Sequence, residues 1–241
     1  MLRDYRRQMQ PQGLLGYQVQ IEESDLMVFT TCDLRHLAHN WLYHYRSQIK
    51  SYAEQHPAWL SALHPLPLDK AAPSIVQAMG KAALATGVGP MAAVAGAIAQ
   101  AVGRHLAAHS SEIMIENGGD IYLRGQAPRK VLIRAGQSPY SGQLAIRVYP
   151  AGELAVCTSA GTSGHAISFG RADAAVAISP DAALADAAAT ALGNRVQTAA
   201  DIPAALEWAG HIPGISGCLL IVGDRLGAWG DMELVDAKGD Q

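Results

Sequence analysis

Aromatic side chains are scarce in this 241-residue chain: they make up 6% of it, and only two are phenylalanine. A core drawn from 49% hydrophobic residues must then rest on small aliphatic side chains, which let helices and sheets approach closely. Charge is sparse too, at 16% with a net of −3 and no basic tract, which argues against nucleic acid as a main partner. The cysteines Cys32, Cys157 and Cys218 stand far apart and form no CxxC pair, against a disulfide framework or a cysteine zinc site. The start, MLRDYRRQMQPQG, has no apolar h-region of a secretory signal, so a cytoplasmic location is expected. The uncharged run from Ala82 to Val102 has the length of a membrane span. Thr86-Gly87-Val88-Gly89-Pro90 interrupts it, and it reads as two buried elements with no membrane partner. Length allows one domain over 1–241, with two lobes of about 1–110 and 111–241.

Taken in order, Tyr17 to Ile21 alternates apolar and polar residues, and Leu26 to Phe29 follows a polar turn, which together predict an antiparallel hairpin. Asp33 can cap a helix reaching about Gln55 on the stripe Leu34, Leu37, Trp41 and Tyr45. His36 and His39 could share a metal, but no carboxylate completes a set, and they read as edge residues. Trp59 to Leu68 reads as a loop, Ser74 to Ala85 as a helix, and Met91 to His109 as a second helix. Gly89, Gly96 and Gly103 lie seven apart, a face suited to tight packing; glycine inside a helix costs about 1 kcal/mol against alanine, so something should compensate.

Glu112 to Glu116 alternates as a strand, and Asn117-Gly118-Gly119-Asp120 then reads as a hairpin with an Asn-Gly turn. The functional alternative is a turn whose backbone N–H groups meet a ligand phosphate or ring, with Asp120 beside it. Further strands are expected at Val131 to Ala135, Leu144 to Tyr149, Leu154 to Thr158, Ala174 to Ile178 and Ser216 to Val222, with a turn at Asp224-Arg225-Leu226-Gly227. Around Cys157 to Val196 the chemistry concentrates. The run Thr158-Ser159-Ala160-Gly161-Thr162-Ser163-Gly164 precedes His165, and a helix capped by Ser179 or Asp181 carries Asp186 and Thr190 on one face. Elements come in runs rather than strict βα alternation, which predicts an α+β fold. The glycine runs match neither a Walker loop nor a GxGxxG fingerprint.

The order ENGGD, then TSxGTSGH, then ADAAAT resembles the ApbE superfamily, whose known enzymes are magnesium-dependent FAD:protein FMN transferases. It looks closest to a shorter branch carrying VGPMAAVAGAIA and ENGGD, over nearly the whole chain. The resemblance implies an ApbE-like fold of mainly antiparallel sheets packed with Ala/Gly-rich helices. It implies metal ligands at Asp186, Thr190 and the Ala97 carbonyl. It implies a flavin site at Asn117, Gly118, Gly119 and Asp120 and along Thr158, Ser159, Gly161, Thr162, Ser163 and Gly164, with His165 and Asp186 in catalytic roles. Mg²⁺ and FAD or FMN are the implied cofactors. Two departures stand out. Gln100 occupies the place of the family's lysine, and Ala166 to Asp173 replaces its I-D-P-x-T-G segment.

The resulting expectation is a protein that binds a flavin nucleotide or related pyrophosphate with Mg²⁺ and transfers its phosphoryl-linked group. The alternatives are a non-catalytic nucleotide-binding module and an oligomeric scaffold of the same fold; symmetric self-association is compatible with all three.

Overall fold

A computed structural model describes residues 5, 6, 9, 11–160 and 170–239. Its centre is an antiparallel sheet of eight strands in the order β1-β2-β3-β4-β7-β8-β9-β10. The strands are β1 (Leu15–Ile21), β2 (Ser24–Thr30), β3 (Ile113–Asn117), β4 (Asp120–Gly125), β7 (Gly152–Ser159), β8 (Ala174–Ser179), β9 (Gly217–Val222) and β10 (Arg225–Gly230). A smaller sheet, β11-β6-β5, is formed by β5 (Arg129–Leu132), β6 (Leu144–Val148) and β11 (Glu233–Asp236). The strands on either side of position 110, β2 and β3, pair directly from Leu26↔Asn117 to Thr30↔Ile113.

Both faces of the large sheet are buried along its inner strands, and side-chain size separates them. Ala155, Cys157, Ala175, Ala177, Cys218 and Leu220 pack toward the helices, while Val156, Val176, Ile178, Leu219 and Ile221 pack with Val131, Ile146 and Val148 of the small sheet. The two-residue strand period makes this division possible. The small side chains leave room for α5 (Ala182–Asn194), which is itself nearly all alanine on its buried sides. Asp181 caps α5, accepting from Ala183 and Leu184, an interaction worth about 1 kcal/mol.

The remaining helices are α1 (Arg35–Gln55), α2 (Pro57–Ser61), α3 (Ser74–Thr86), α4 (Val94–Leu106) and α6 (Ile202–Gly210). Several sequence expectations shift. α1 begins one residue past Leu34, with Asp33 accepting from the Arg35 N–H rather than standing at the cap itself. Trp59 lies in α2, buried against the core, because Pro57 starts a turn that the loop reading overlooked. Met91 to His109 divides into a 3-10 turn (Pro90–Ala93) and α4. Asp224 to Gly227 is not a turn alone, since Arg225 already pairs with Val222 in β10. Among the described residues no single helix is long and apolar enough to cross a membrane; α3 and the Pro90–Leu106 segment are bent by 106° against each other.

The glycines at seven-residue spacing are points of close approach. A Cβ on Gly89 would stand 1.7 Å from the Ala62 carbonyl oxygen, one on Gly96 2.2 Å from that of Ala182, and one on Gly103 2.3 Å from the Tyr122 ring. The cost of glycine within α4 is thus offset by contacts that no other residue permits. The Gly96 approach brings the first turn of α4 against the first turns of α5, and that crossing holds the carboxylates described next.

Candidate functional site

Asp186 is the one charged side chain of α5, and it faces the start of α4. The residue preceding α4, Ala93, has no side chain to cap it, so the first N–H groups of the helix need an outside acceptor. Asp186 supplies one: its Oδ2 accepts from the Gly96 N–H at 2.9 Å. Thr190, one turn further along α5, is 9% exposed. Ala97 lies within the first turns of α4, where carbonyls point along the axis toward the carboxyl end and close the helical ladder.

The second carboxylate comes from the β3–β4 hairpin. The expected Asn-Gly turn is displaced by one residue: Asn117 pairs with Asp120, and Gly118 and Gly119 form the two-residue turn with φ of +70° and +110°. Positive φ at both positions is the requirement that glycine meets at least strain. The Asn117 amide donates to the Ala95 carbonyl at 3.1 Å, tying the hairpin to α4. Asp120 is 7% exposed, and its Oδ1 accepts from the Thr158 N–H at 3.2 Å. The Ser159 hydroxyl, next to Thr158 on β7, is buried and has no hydrogen-bond partner among the described residues.

Electrostatics joins the two carboxylates. Burial pushes the Asp120 carboxyl up to about 7, with the Glu116 charge adding to it. Burial also holds the Asp186 carboxyl well above its usual range, and the neighbouring Asp120 charge raises it further. Between them, the Cys157 thiol is raised by burial and then by both aspartates. Among the described residues neither Asp120 nor Asp186 forms a salt bridge with arginine or lysine.

Several expected site residues thus meet at one place: Asn117, Gly118, Gly119, Asp120, Thr158 and Ser159 at the ends of β3, β4 and β7, and Asp186 with Thr190 on α5. Gly161, Thr162, Ser163, Gly164 and His165 lie outside the described residues. Gln100 points elsewhere. Its amide donates to Glu153 at 3.0 Å and to the Pro180 carbonyl at 2.8 Å, and its oxygen accepts from the Ala182 N–H at 3.0 Å. The sequence reading missed Glu116, which is 1% exposed and accepts from the Gly119 N–H at 2.9 Å. The signal was present, since a glutamate on a strand of otherwise fully buried residues must find donors.

A donor set of two carboxylates and a hydroxyl suits a hard divalent cation, since Mg²⁺ takes one or two protein carboxylates and completes its shell with water and substrate phosphate. Among the described residues no three of His, Cys, Asp and Glu gather as a metal cluster, so the pair would depend on a ligand for the remaining positions. A groove of about 930 Å³ lies apart from the pair and is lined by residues that include His39, Tyr43, His44, Gln48 and Tyr52 of α1 and Asp69.

The model of a family described as AbpE bacteria matches residues 6–221. A UPF0280 protein of Methanocella arvoryzae is 39% identical over 213 residues, covering 88% of this chain and 86% of its own. A UPF0280 protein of Methanosarcina barkeri is 42% identical over 194 residues, covering 79% and 76%. Among solved structures, the flavinyl transferase ApbE of Pseudomonas stutzeri, in its apo form, superposes with a TM-score of 0.59 at 14% identity, covering 90% of this chain and 94% of its own. The flavin transferase ApbE of Vibrio cholerae gives a TM-score of 0.51 at 13% identity, covering 91% and 97%. The chain belongs to the AbpE bacteria family, an ApbE-like group, and has the fold of the ApbE flavin transferases.

Proposed function

We propose that this protein binds a flavin nucleotide, or a closely related pyrophosphate ligand, together with Mg²⁺, and transfers the phosphoryl-linked part of that ligand to an acceptor in the manner of an FMN transferase. The observation that carries the reading is the pairing of two buried carboxylates, Asp120 and Asp186, near the start of α4, with no arginine or lysine bridging to either among the described residues. Leaving two such groups uncompensated is costly unless a positive partner arrives. Asp186 and Thr190 would hold the metal, with Asp120 completing the negative wall. A divalent cation bound there would offset charge on a pyrophosphate and on its leaving group.

The chain's own groups have separable roles. The Gly118–Gly119 turn carries no side chains, so a ligand can lie against its backbone. The Ser159 hydroxyl, at the end of β7, offers a donor and acceptor that no described residue uses. His165, expected from the sequence to bond the nucleotide or move a proton, follows that strand. The fold likeness to the ApbE transferases supports the ligand class.

The test is incubation of purified protein with FAD and MgCl₂, followed by separation of AMP, FMN and intact FAD. The expected result is saturable, Mg²⁺-dependent FAD binding with AMP release. Absence of FAD binding at millimolar Mg²⁺ would overturn the reading. A second reading, a binder that returns FAD intact, is favoured by one observation: Gln100 stands where the transferases carry a lysine, and all its bonds are to the protein. Tight FAD binding without AMP would select it.

A further inference from the structure

The amino-terminal segment reaches into the same site from outside. Tyr5 donates its hydroxyl to Glu116 Oε1 at 2.6 Å, and Arg6 donates Nε to Glu116 Oε2 at 2.6 Å. The two other arms of the Arg6 guanidinium reach the β1–β2 hairpin, Nη1 to Asp25 Oδ1 at 2.7 Å and Nη2 to the Asp25 carbonyl at 2.6 Å. The Arg6 side chain is only 9% exposed and that of Glu116 1%. Arg134 lies over the Tyr5 ring, 5.1 Å from its centre, holding the segment down. Glu116 in turn accepts from the Gly119 N–H, so a chain of contacts runs from Arg6 through Glu116 to the two-glycine turn.

We propose that Arg6 is a positioning residue for the ligand site: by fixing the Glu116 carboxylate it fixes the Gly119 amide and the conformation of the Gly118–Gly119 turn against which the ligand lies. This rests on the ligand reading given above. The geometry requires arginine. A guanidinium can serve Glu116, the Asp25 carboxylate and the Asp25 backbone carbonyl from one fixed fork, whereas an ammonium presents a point charge with no such fork. Glu116 makes its bond to Gly119 from a fully buried strand, and without a cation its buried charge would seek the nearest donors by moving. The turn itself has few constraints of its own, because both its residues are glycine.

The experiment compares wild type with Arg6→Gln, Glu116→Gln and the double variant, by residue-resolved amide hydrogen exchange and by FAD titration with Mg²⁺. In Arg6→Gln the Gly119 amide is expected to exchange about tenfold faster, the loss typical of a charge-assisted bond. Tyr122 and Val156, on the neighbouring strands, should change far less, and the Kd for FAD should rise about as much as the Gly119 exchange. On the Glu116→Gln background, Arg6→Gln should add little to either readout. A uniform rise across Gly119, Tyr122 and Val156, or full additivity in the double variant, would reduce Arg6 to a general stabiliser and overturn the proposal. If wild type binds no FAD while Gly119 exchange still follows Arg6 through Glu116, the positioning role stands and the flavin reading falls.

Discussion

At its amino end α4 faces Asp186 and, through the β3–β4 hairpin, Asp120; one to two turns later the same helix faces Glu153. Glu153 receives Arg104 at 2.7 Å, Arg124 at 3.0 Å and the Gln100 amide at 3.0 Å. Burial raises its carboxyl, but the Arg104 and Gln100 bonds outweigh that and leave it below the usual range. Among the described residues the aspartates have no such cationic partners, and theirs are raised. Carboxylates that other elements present to the two ends of one helix, with opposite shifts, separate a contact completed by arginines from one without a cation among the described residues. Gln100 belongs to the completed end, so its replacement of a lysine alters the wall behind the site rather than the carboxylate pair.

The comparison breaks most visibly at Asp186. Asp186→Ala is expected to weaken Mg²⁺-dependent FAD binding by more than about 100-fold, beyond the 10–100-fold typical of outer-shell losses at metal sites. Isothermal titration checks this, and an unchanged Kd would remove Asp186 from the site. Next in size is Gly96→Ala, whose Cβ would lie 2.2 Å from the Ala182 carbonyl oxygen and 3.0 Å from Asp186 Cβ. Forcing the helices apart should cost about 2–3 kcal/mol in urea unfolding and loosen FAD binding with it.

The two ends should also answer pH in opposite senses. Folded Asp120 holds a proton up to about 7, while the unfolded chain releases it near about 4. Without metal, stability should therefore rise as pH falls from 8 through 7 toward 5, because the folded state binds more protons there. Asp120→Asn should reduce that rise, leaving the part that the raised Asp186 carboxyl contributes. The Glu153 contribution is present above the unfolded glutamate value of about 4.3 and is lost as pH falls through its lower folded value. Urea midpoints from pH 8 to 3, with EDTA and then with Mg²⁺, test both arms; a flat profile from pH 8 to 5 would contradict the open pair. The smallest effect is expected for Gln100→Lys. It leaves the Ala182 N–H without its acceptor and adds a third cation at Glu153, for a loss of about 1 kcal/mol. FAD affinity should stay within about twofold, because the Asp186–Asp120 pair is untouched; a large gain in affinity or in AMP release would mean that this end also contacts the ligand.

Much of the frame was legible in sequence. Alternation in Tyr17 to Ile21, the Asp181 cap and the Gly89/Gly96/Gly103 spacing each have a local cause, and each appears where that cause puts it; Glu112 to Glu116 leads into a strand as read, but β3 is buried on both faces instead of alternating. The hairpin and ligand readings of Asn117 to Asp120 were posed as alternatives, yet the turn is a hairpin that also carries Asp120 into the site. Local chemistry misjudged Trp59 and Arg225, where packing against the core and pairing with Val222 decide the conformation.

By itself the sequence determined the α+β class, the small-residue helices and the residue types able to meet a divalent cation, because periodicity, capping and glycine spacing act over a few residues. Only the tertiary structure decided which carboxylates meet. Asp120 and Asp186 are 66 positions apart, Gln100 turns to Glu153 instead of the site, and Arg6 spans 110 positions to hold Glu116. Such pairings depend on the crossing of α4 over α5 and on the strand order of the large sheet, long-range contacts that no local pattern encodes.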